Sequence, residues 1–294
     1  TERQGELFGH GGLECFGRRL QTGVFPIGID VDGFMAARNS TLGTRTYDRM
    51  AASALFRSMI VGVDRLDYSK GLEERLLGYE QFLQDNPDQR GEVFLLQVTP
   101  ISRDDVDSYQ DIRARLDALA GRINGAFADM DWAPIRYLNR TYRRDQLAGI
   151  YRAARVGLVT PLRDGMNLVA KEFVAAQNPD DPGVLILSRF AGAAEQMGEA
   201  LLVNPYSREE LSEAIKKALT MPLAERVRKW SALMDVVRKT DVAVWRDDFV
   251  KALVGAPVSD DGVTLERARE QAQSTSKPKS KVRWAGLKLS SERM

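Results

Sequence analysis

The chain has 294 residues, with 42 basic against 41 acidic, 44% hydrophobic and 28% charged, a composition that excludes collagen-like, low-complexity and wholly disordered proteins. The near-zero net charge gives no electrostatic footprint for nucleic acid. A single cysteine (Cys15) excludes an internal disulfide, and a single histidine (His10) leaves little material for a zinc centre or a His-based triad. The length suits about two domains. No apolar run reaches the ~18–20 residues of a membrane helix, so a cytoplasmic protein in a reducing compartment is expected, with neither nucleic acid nor membrane as partner.

Residues 1–6 lack the apolar core of a signal peptide, and residue 1 is Thr, which suits a fragment or a processed chain. From residue 57 to about 205 the pattern alternates. Residues 58–63 form a short apolar run and read as a buried strand. Leu72, Leu76, Tyr79 and Leu83 then fall on one helix face. A second strand is predicted over 93–98, and a helix over 104–119 carrying Val106, Tyr109, Ile112, Leu116 and Leu119. Residues 135–138 read as a third strand and 145–154 as a helix. A fourth strand over 156–159 leads through a Gly-containing turn into a helix over 167–176. Residues 183–188 and 200–203 complete the strands. Residues 207–246 read as wholly helical, with Pro222 at a plausible helix start, and 242–253 as one more helix around Trp245 and Phe249. The last 18 residues hold six basic side chains against one acidic, behind a polar Ser/Gln/Thr stretch. A solvated, disordered tail is the expectation there.

Strands alternating with helices predict an α/β fold, a Rossmann-like parallel sheet with helices on both faces and a helical carboxyl-terminal segment. Such sheets bind ligands beyond the carboxyl ends of their strands, so the loops after strands are where chemistry is sought. After the first strand, Arg65 and Lys70 suit a phosphate or diphosphate. Surface cations paired with Asp64 and Asp67 are an equal alternative. After the fourth strand, Gly165 allows a positive φ or a close backbone approach, and the helix that follows offers free N–H donors to an anion. Asp164 could accept hydrogen bonds from sugar hydroxyls and Glu172 could hold a ribose diol; a helix cap and dipole compensation are the plainer alternatives. After the second strand, Arg103 either grips a second anion or is solvated.

Residues 63–71 (VDRLDYSKG) and 160–172 (TPLRDGMNLVAKE), with 109–113 (YQDIR), 121–125 (GRING) and 190–194 (FAGAA), together resemble the trehalose-6-phosphate synthases. The resemblance runs from about residue 23 to 253. It implies a retaining GT-B glycosyltransferase that moves glucose from UDP-glucose to glucose 6-phosphate, giving trehalose 6-phosphate and UDP. It implies a catalytic set of Arg65, Lys70 and Asp164. Arg65 and Lys70 would contact the donor diphosphate, and Asp164 the glucose hydroxyls. Gly165, Met166 and Asn167 would lie around sugar and phosphate. Leu168, Val169, Ala170, Lys171 and Glu172 would shape the nucleotide site, with Glu172 on the ribose. Tyr142 and Leu147 would meet the uracil, and Arg103 the acceptor phosphate. Electrostatic stabilisation of the leaving UDP by Arg65, Lys70 and the helix start requires no metal or other cofactor.

The resemblance divides the chain into 1–30 as the remnant of an amino-terminal domain and linker, 31–254 as the nucleotide-sugar-binding domain, and 255–294 as the tail. It also implies that one wall of the cleft lies in a missing amino-terminal domain. Positioning supplies on the order of 7–11 kcal/mol of catalysis at best, so weak donor binding and little turnover are expected of this chain alone. The helix around Trp245 is left either to fold onto its own domain or to expose an apolar patch that promotes a homo-oligomer. The alternatives are a glucosyltransferase with another acceptor, such as a glucosylglycerol-phosphate synthase, and a non-catalytic nucleotide-sugar-binding subunit.

Overall fold

The computed structural model describes residues 5–8, 12–15, 18–100 and 107–255, with side chains over 22–100 and 110–254. Arg103, His10 and the basic tail lie outside the described residues. The chain divides into two compact units, Thr1–Gly23 with Leu253–Met294, and Val24–Ala252. In the first, β1 (Gly5–Phe8), β2 (Gly12–Cys15) and β3 (Arg18–Gln21) form an antiparallel sheet whose backbone register pairs Leu7 with Leu13 and Leu13 with Leu20. Sequence patterning does not mark these strands.

The second unit opens with two helices that the apolar pattern also does not signal, α1 (Val31–Asn39) and α2 (Thr41–Ala54). Each starts on a side-chain cap. Asp30 Oδ1 accepts from Gly33 N at 2.9 Å, and Ser40 Oγ from Gly43 N at 3.0 Å. There follow β4 (Ser58–Val63), α3 (Leu72–Asp85), β5 (Val93–Val98), α4 (Asp107–Phe127), β6 (Ile135–Leu138), α5 (Arg144–Ala153), β7 (Val156–Val159), α6 (Leu168–Ala176), β8 (Val184–Ser188) and β9 (Leu201–Val203). The predicted strands are present to within a residue. The stretch read as wholly helical is three helices, α7 (Arg208–Thr220), α8 (Leu223–Lys239) and α9 (Val242–Gly255). Pro222 caps α8, and the chain breaks again at Thr240, before Asp241 Oδ1 accepts from Val244 N at the start of α9.

The six strands β4–β9 form one parallel sheet in the order β6-β5-β4-β7-β8-β9. Alternate residues of each strand feed two cores. Met59, Val61 and Val63 join Phe34, Tyr151 and Phe173 on one face, while Ile60 joins Leu76, Tyr79, Phe82 and Ile215 on the other. Helices cover both faces, so the strands read as continuous apolar runs. Each fully buried aliphatic or aromatic side chain contributes roughly 1.5–3 kcal/mol.

Chain order runs outward from β4 to β5 and β6, then returns to β7 beside β4 and runs outward to β8 and β9. The direction reverses between β4 and β7, which places the switch-point crevice at their carboxyl ends. Residues 24–29 belong to the larger unit, because Ile29 is buried in its core and Lys171 Nζ donates to Ile27 O at 3.1 Å. The helix α9 folds back on this segment. Val242 N donates to Ile29 O and Trp245 Nε1 to Phe25 O, both at 3.0 Å, and Phe249 packs between the Phe25 and Trp245 rings. Its Val250, Leu253 and Val254 are exposed. No helix among the described residues is long and apolar enough to cross a membrane.

Candidate functional site

The loop after β4 turns the chain sharply. Asp67 Oδ1 accepts from both the N–H (2.9 Å) and the hydroxyl (2.8 Å) of Ser69, nucleating a 3-10 turn over Tyr68–Lys70. Burial pushes the Asp67 carboxyl up, but the Ser69 hydrogen bonds, Lys70 and Arg65 outweigh it and hold it below the usual range. Gly71 then enters α3 at φ +62°, and a Cβ there would lie 2.6 Å from the Thr160 carbonyl oxygen. Glycine is therefore required twice, for conformation and for closeness to the loop after β7.

That second loop is laced to the first. The N–H groups of Leu162 and Arg163 both donate to Ser69 O, at 2.8 and 3.2 Å. A third loop, after β8, joins them. Gly192 N donates to Asp164 O at 3.0 Å and Ala193 N to Met166 O at 2.8 Å. Gly192 has no room for a side chain, since a Cβ would sit 2.1 Å from Gly165 O. Asn167 stands at φ +78° and caps α6, its Oδ1 accepting from Ala170 N at 3.3 Å.

These constraints bring the predicted side chains together. Lys70 Nζ meets Asp164 Oδ2 at 2.6 Å, and both side chains are about 15% exposed. Asn167 Nδ2 donates to the same carboxylate at 3.1 Å. Around them lies an open hollow of about 570 Å³ lined by Tyr68, Ser69, Lys70, Leu162, Arg163, Asp164, Gly165 and Tyr206. Sequence reasoning missed Tyr206. It follows β9 and packs beside Phe190, so the strand-end rule extended to the last strand would have found it.

Not every expected residue is placed alike. Arg65 is exposed and outside the hollow's lining, because alternation buries Asp64 and Leu66 and turns the residue between them outward. The alternative of surface cations paired with Asp64 is corrected. Asp64 is buried and paired with Arg75 at 2.6 Å, its carboxyl raised by burial against the pull of that guanidinium. Gly165 is also corrected. That holds for the positive φ, which Asn167 takes instead, and a Cβ added at Gly165 would meet no atom of the described residues within 4 Å.

Tyr142, Leu147, Met166, Leu168 and Val169 are half-buried and pack on one core cluster at this edge. Ala170 and Lys171 are fully buried, so neither side chain is open to a ligand. For the Lys171 side chain this corrects the grouping with nucleotide contacts, since its ammonium is turned to Ile27 O and Thr240 Oγ1. Burial lowers that ammonium to about 8. Glu172 is raised to about 7 by burial, with Arg144 and the Tyr151 hydroxyl pulling the other way.

The fold and the loop cluster at its switch point define a Rossmann-like α/β domain of the GT-B type. The model of glycosyltransferase family 20 matches residues 6–254, and the chain belongs to that family. It is 49% identical over 252 residues to the trehalose-6-phosphate synthase of Sinorhizobium fredii, covering 86% of this chain and 54% of that protein. A solved α,α-trehalose-phosphate synthase (UDP-forming) from Burkholderia xenovorans, in complex with glucose 6-phosphate, aligns at a TM-score of 0.82 and 47% identity. That alignment covers 85% of this chain and 56% of the other. An E. coli structure bound with UDP-2-fluoro glucose aligns at a TM-score of 0.82 and 44% identity, over 86% of this chain and 56% of the other. The chain thus spans about half the length of the relatives it matches.

Proposed function

We propose that this chain carries the donor half of a retaining α,α-trehalose-phosphate synthase (UDP-forming). The reaction moves glucose from UDP-glucose to glucose 6-phosphate and yields trehalose 6-phosphate and UDP. The observation that carries the reading is the Lys70–Asp164 pair at 2.6 Å, in an open hollow at the switch point of a parallel sheet. A cation and a sugar-binding carboxylate side by side suit the two ends of a nucleotide sugar, its diphosphate and its hexose. Family membership and the ligands named for the two solved relatives support the same substrates.

In this reading Lys70 leaves Asp164 to meet the diphosphate and stabilises the charge that grows on UDP as the glycosidic bond breaks. Asp164 accepts hydrogen bonds from glucose hydroxyls. Gly165, Met166 and Asn167 border the sugar, Leu168 and Val169 the nucleotide, and Glu172 takes the ribose. Tyr142 and Leu147 face the uracil. Arg65 contributes long-range positive charge, and Arg103 takes the acceptor phosphate. No metal or other cofactor enters the reaction. The remaining acceptor groups come from the amino-terminal half that the longer relatives carry. The single cysteine suits a reducing cytosol.

Titrating UDP into the 294-residue chain by calorimetry tests the reading. Saturable binding is expected, with Lys70→Ala weakening it about tenfold, the loss of one charge-assisted contact. Unchanged affinity in that variant would remove Lys70 from the donor site.

A further inference from the structure

Beneath the hollow lies a charged group that no part of the donor reading uses. Arg75, one turn into α3, is completely buried. Its guanidinium reaches the carboxyl ends of three strands. Nη1 donates to Asp64 Oδ2 at 2.6 Å, just past β4, and to Gln97 Oε1 at 3.0 Å, on β5. Nε donates to Thr160 Oγ1 at 2.9 Å, just past β7. Nη2 points to Lys70 O at 3.5 Å, and the Arg75 N–H donates to Gly71 O at 2.9 Å. The space for this fork is kept by Gly62, where a Cβ would come within 2.6 Å of Nη1 and 2.5 Å of Gln97 Oε1.

Stability alone is a poor reason for such a group. Desolvating two charges offsets most of their attraction, and a well-packed apolar side chain of similar volume would hold the core at least as well. What a planar guanidinium supplies is direction. Five donors in a fixed fork can tie several acceptors in one geometry, which an ammonium on a flexible stem cannot. Here the acceptors include the first residues of the two site loops and the carbonyl of Lys70 itself.

We propose that Arg75 is a positioning residue of the nucleotide-sugar site, holding the Lys70 turn and the loop after β7 in the register that delivers the Lys70 ammonium to the hollow. It touches no ligand and acts through Lys70. The inference rests on the donor-site reading, and the experiment separates the two.

UDP dissociation constants are measured by calorimetry for the 294-residue chain, Lys70→Ala, Arg75→Lys and the double variant, each well below its own melting temperature. Each single change is expected to weaken UDP about tenfold. The double variant should bind no worse than Lys70→Ala, within about twofold, because the second change acts on a contact already gone. An Arg75 that only supports the fold would give independent losses, about a hundredfold together. Either that product or an unchanged constant in Arg75→Lys overturns the inference and leaves the donor reading intact if Lys70→Ala has weakened binding. Lys70→Ala without effect overturns both. Where Arg75→Lys does not fold, Thr160→Val replaces it in the same cycle. That variant removes one acceptor of the fork at nearly constant volume, and additivity with Lys70→Ala is again the refuting result.

Discussion

At Gly71 and Gly165 the same residue type meets opposite constraints within one site. Gly71 sits at φ +62° with the Thr160 carbonyl where a Cβ would go, whereas Gly165 has ordinary φ and free space, bordering the hollow. Gly71→Ala is therefore expected to destabilise the protein by about 1–3 kcal/mol, the left-handed cost plus the displacement of the β7 loop. Gly165→Ala should stay within about 0.5 kcal/mol of the parent yet weaken UDP-glucose binding, because its methyl enters the hollow. Urea denaturation and a UDP-glucose titration on both variants check the contrast. Equal stability losses would refute it. In the sequence both glycines stand in promising loops, and nothing local distinguishes them. The difference is made by a loop distant in the chain, which only the fold brings against one of them. Lys171 makes the same point. Its neighbours in the motif border the site, but helix geometry turns its own side chain to Ile27 and Thr240.

Among the elements, legibility follows the kind of contact each makes. Strands buried on both faces are mostly apolar, so β4, β5, β7 and β8 are readable as runs, with Gln97 and Ser188 as buried polar residues near strand ends. The helices α3 and α6 show an apolar stripe or follow a strand-end motif. Against this, α2 meets α5 backbone to backbone. A Cβ on Gly149 would sit 2.4 Å from Gly43 O, and Gly43 is the only residue of α2 that is fully buried. Close approach through glycines leaves no apolar periodicity to detect. The signals present are the caps, Asp30 and Ser40, which mark where α1 and α2 begin but not what they pack on. The helix α9 is held differently again, by a few specific contacts and, among its described side chains, none fully buried. Trp245→Ala removes the indole donor to Phe25 O and the ring stacked on Phe249. Hydrogen exchange should then accelerate over residues 24–29 and 242–255, while amides of β4–β9 keep their protection. Faster exchange spread evenly through the sheet would show that α9 is part of the core instead.

For the whole molecule, all the buried apolar side chains described lie between Ile29 and Val237, within the unit Val24–Ala252. That unit also contains every loop of the site, from the Lys70 turn to Tyr206, and both faces of the parallel sheet have their own core and their own helices. A domain with a complete core and no essential strand outside it meets the conditions for folding alone. A variant carrying residues 24–252 only should therefore unfold in one cooperative transition, with a melting temperature within a few degrees of the 294-residue chain, because it keeps every buried apolar side chain described. It should also bind UDP with a dissociation constant within about twofold of the parent, since a shift that small is under about 0.5 kcal/mol. Scanning calorimetry and a UDP titration on the two proteins decide the matter. A broad or absent transition would mean that residues 1–23 or 253–294 complete the core. A cooperative fold that had lost UDP would place part of the donor site in those segments, outside the sheet edge where Lys70 and Asp164 meet.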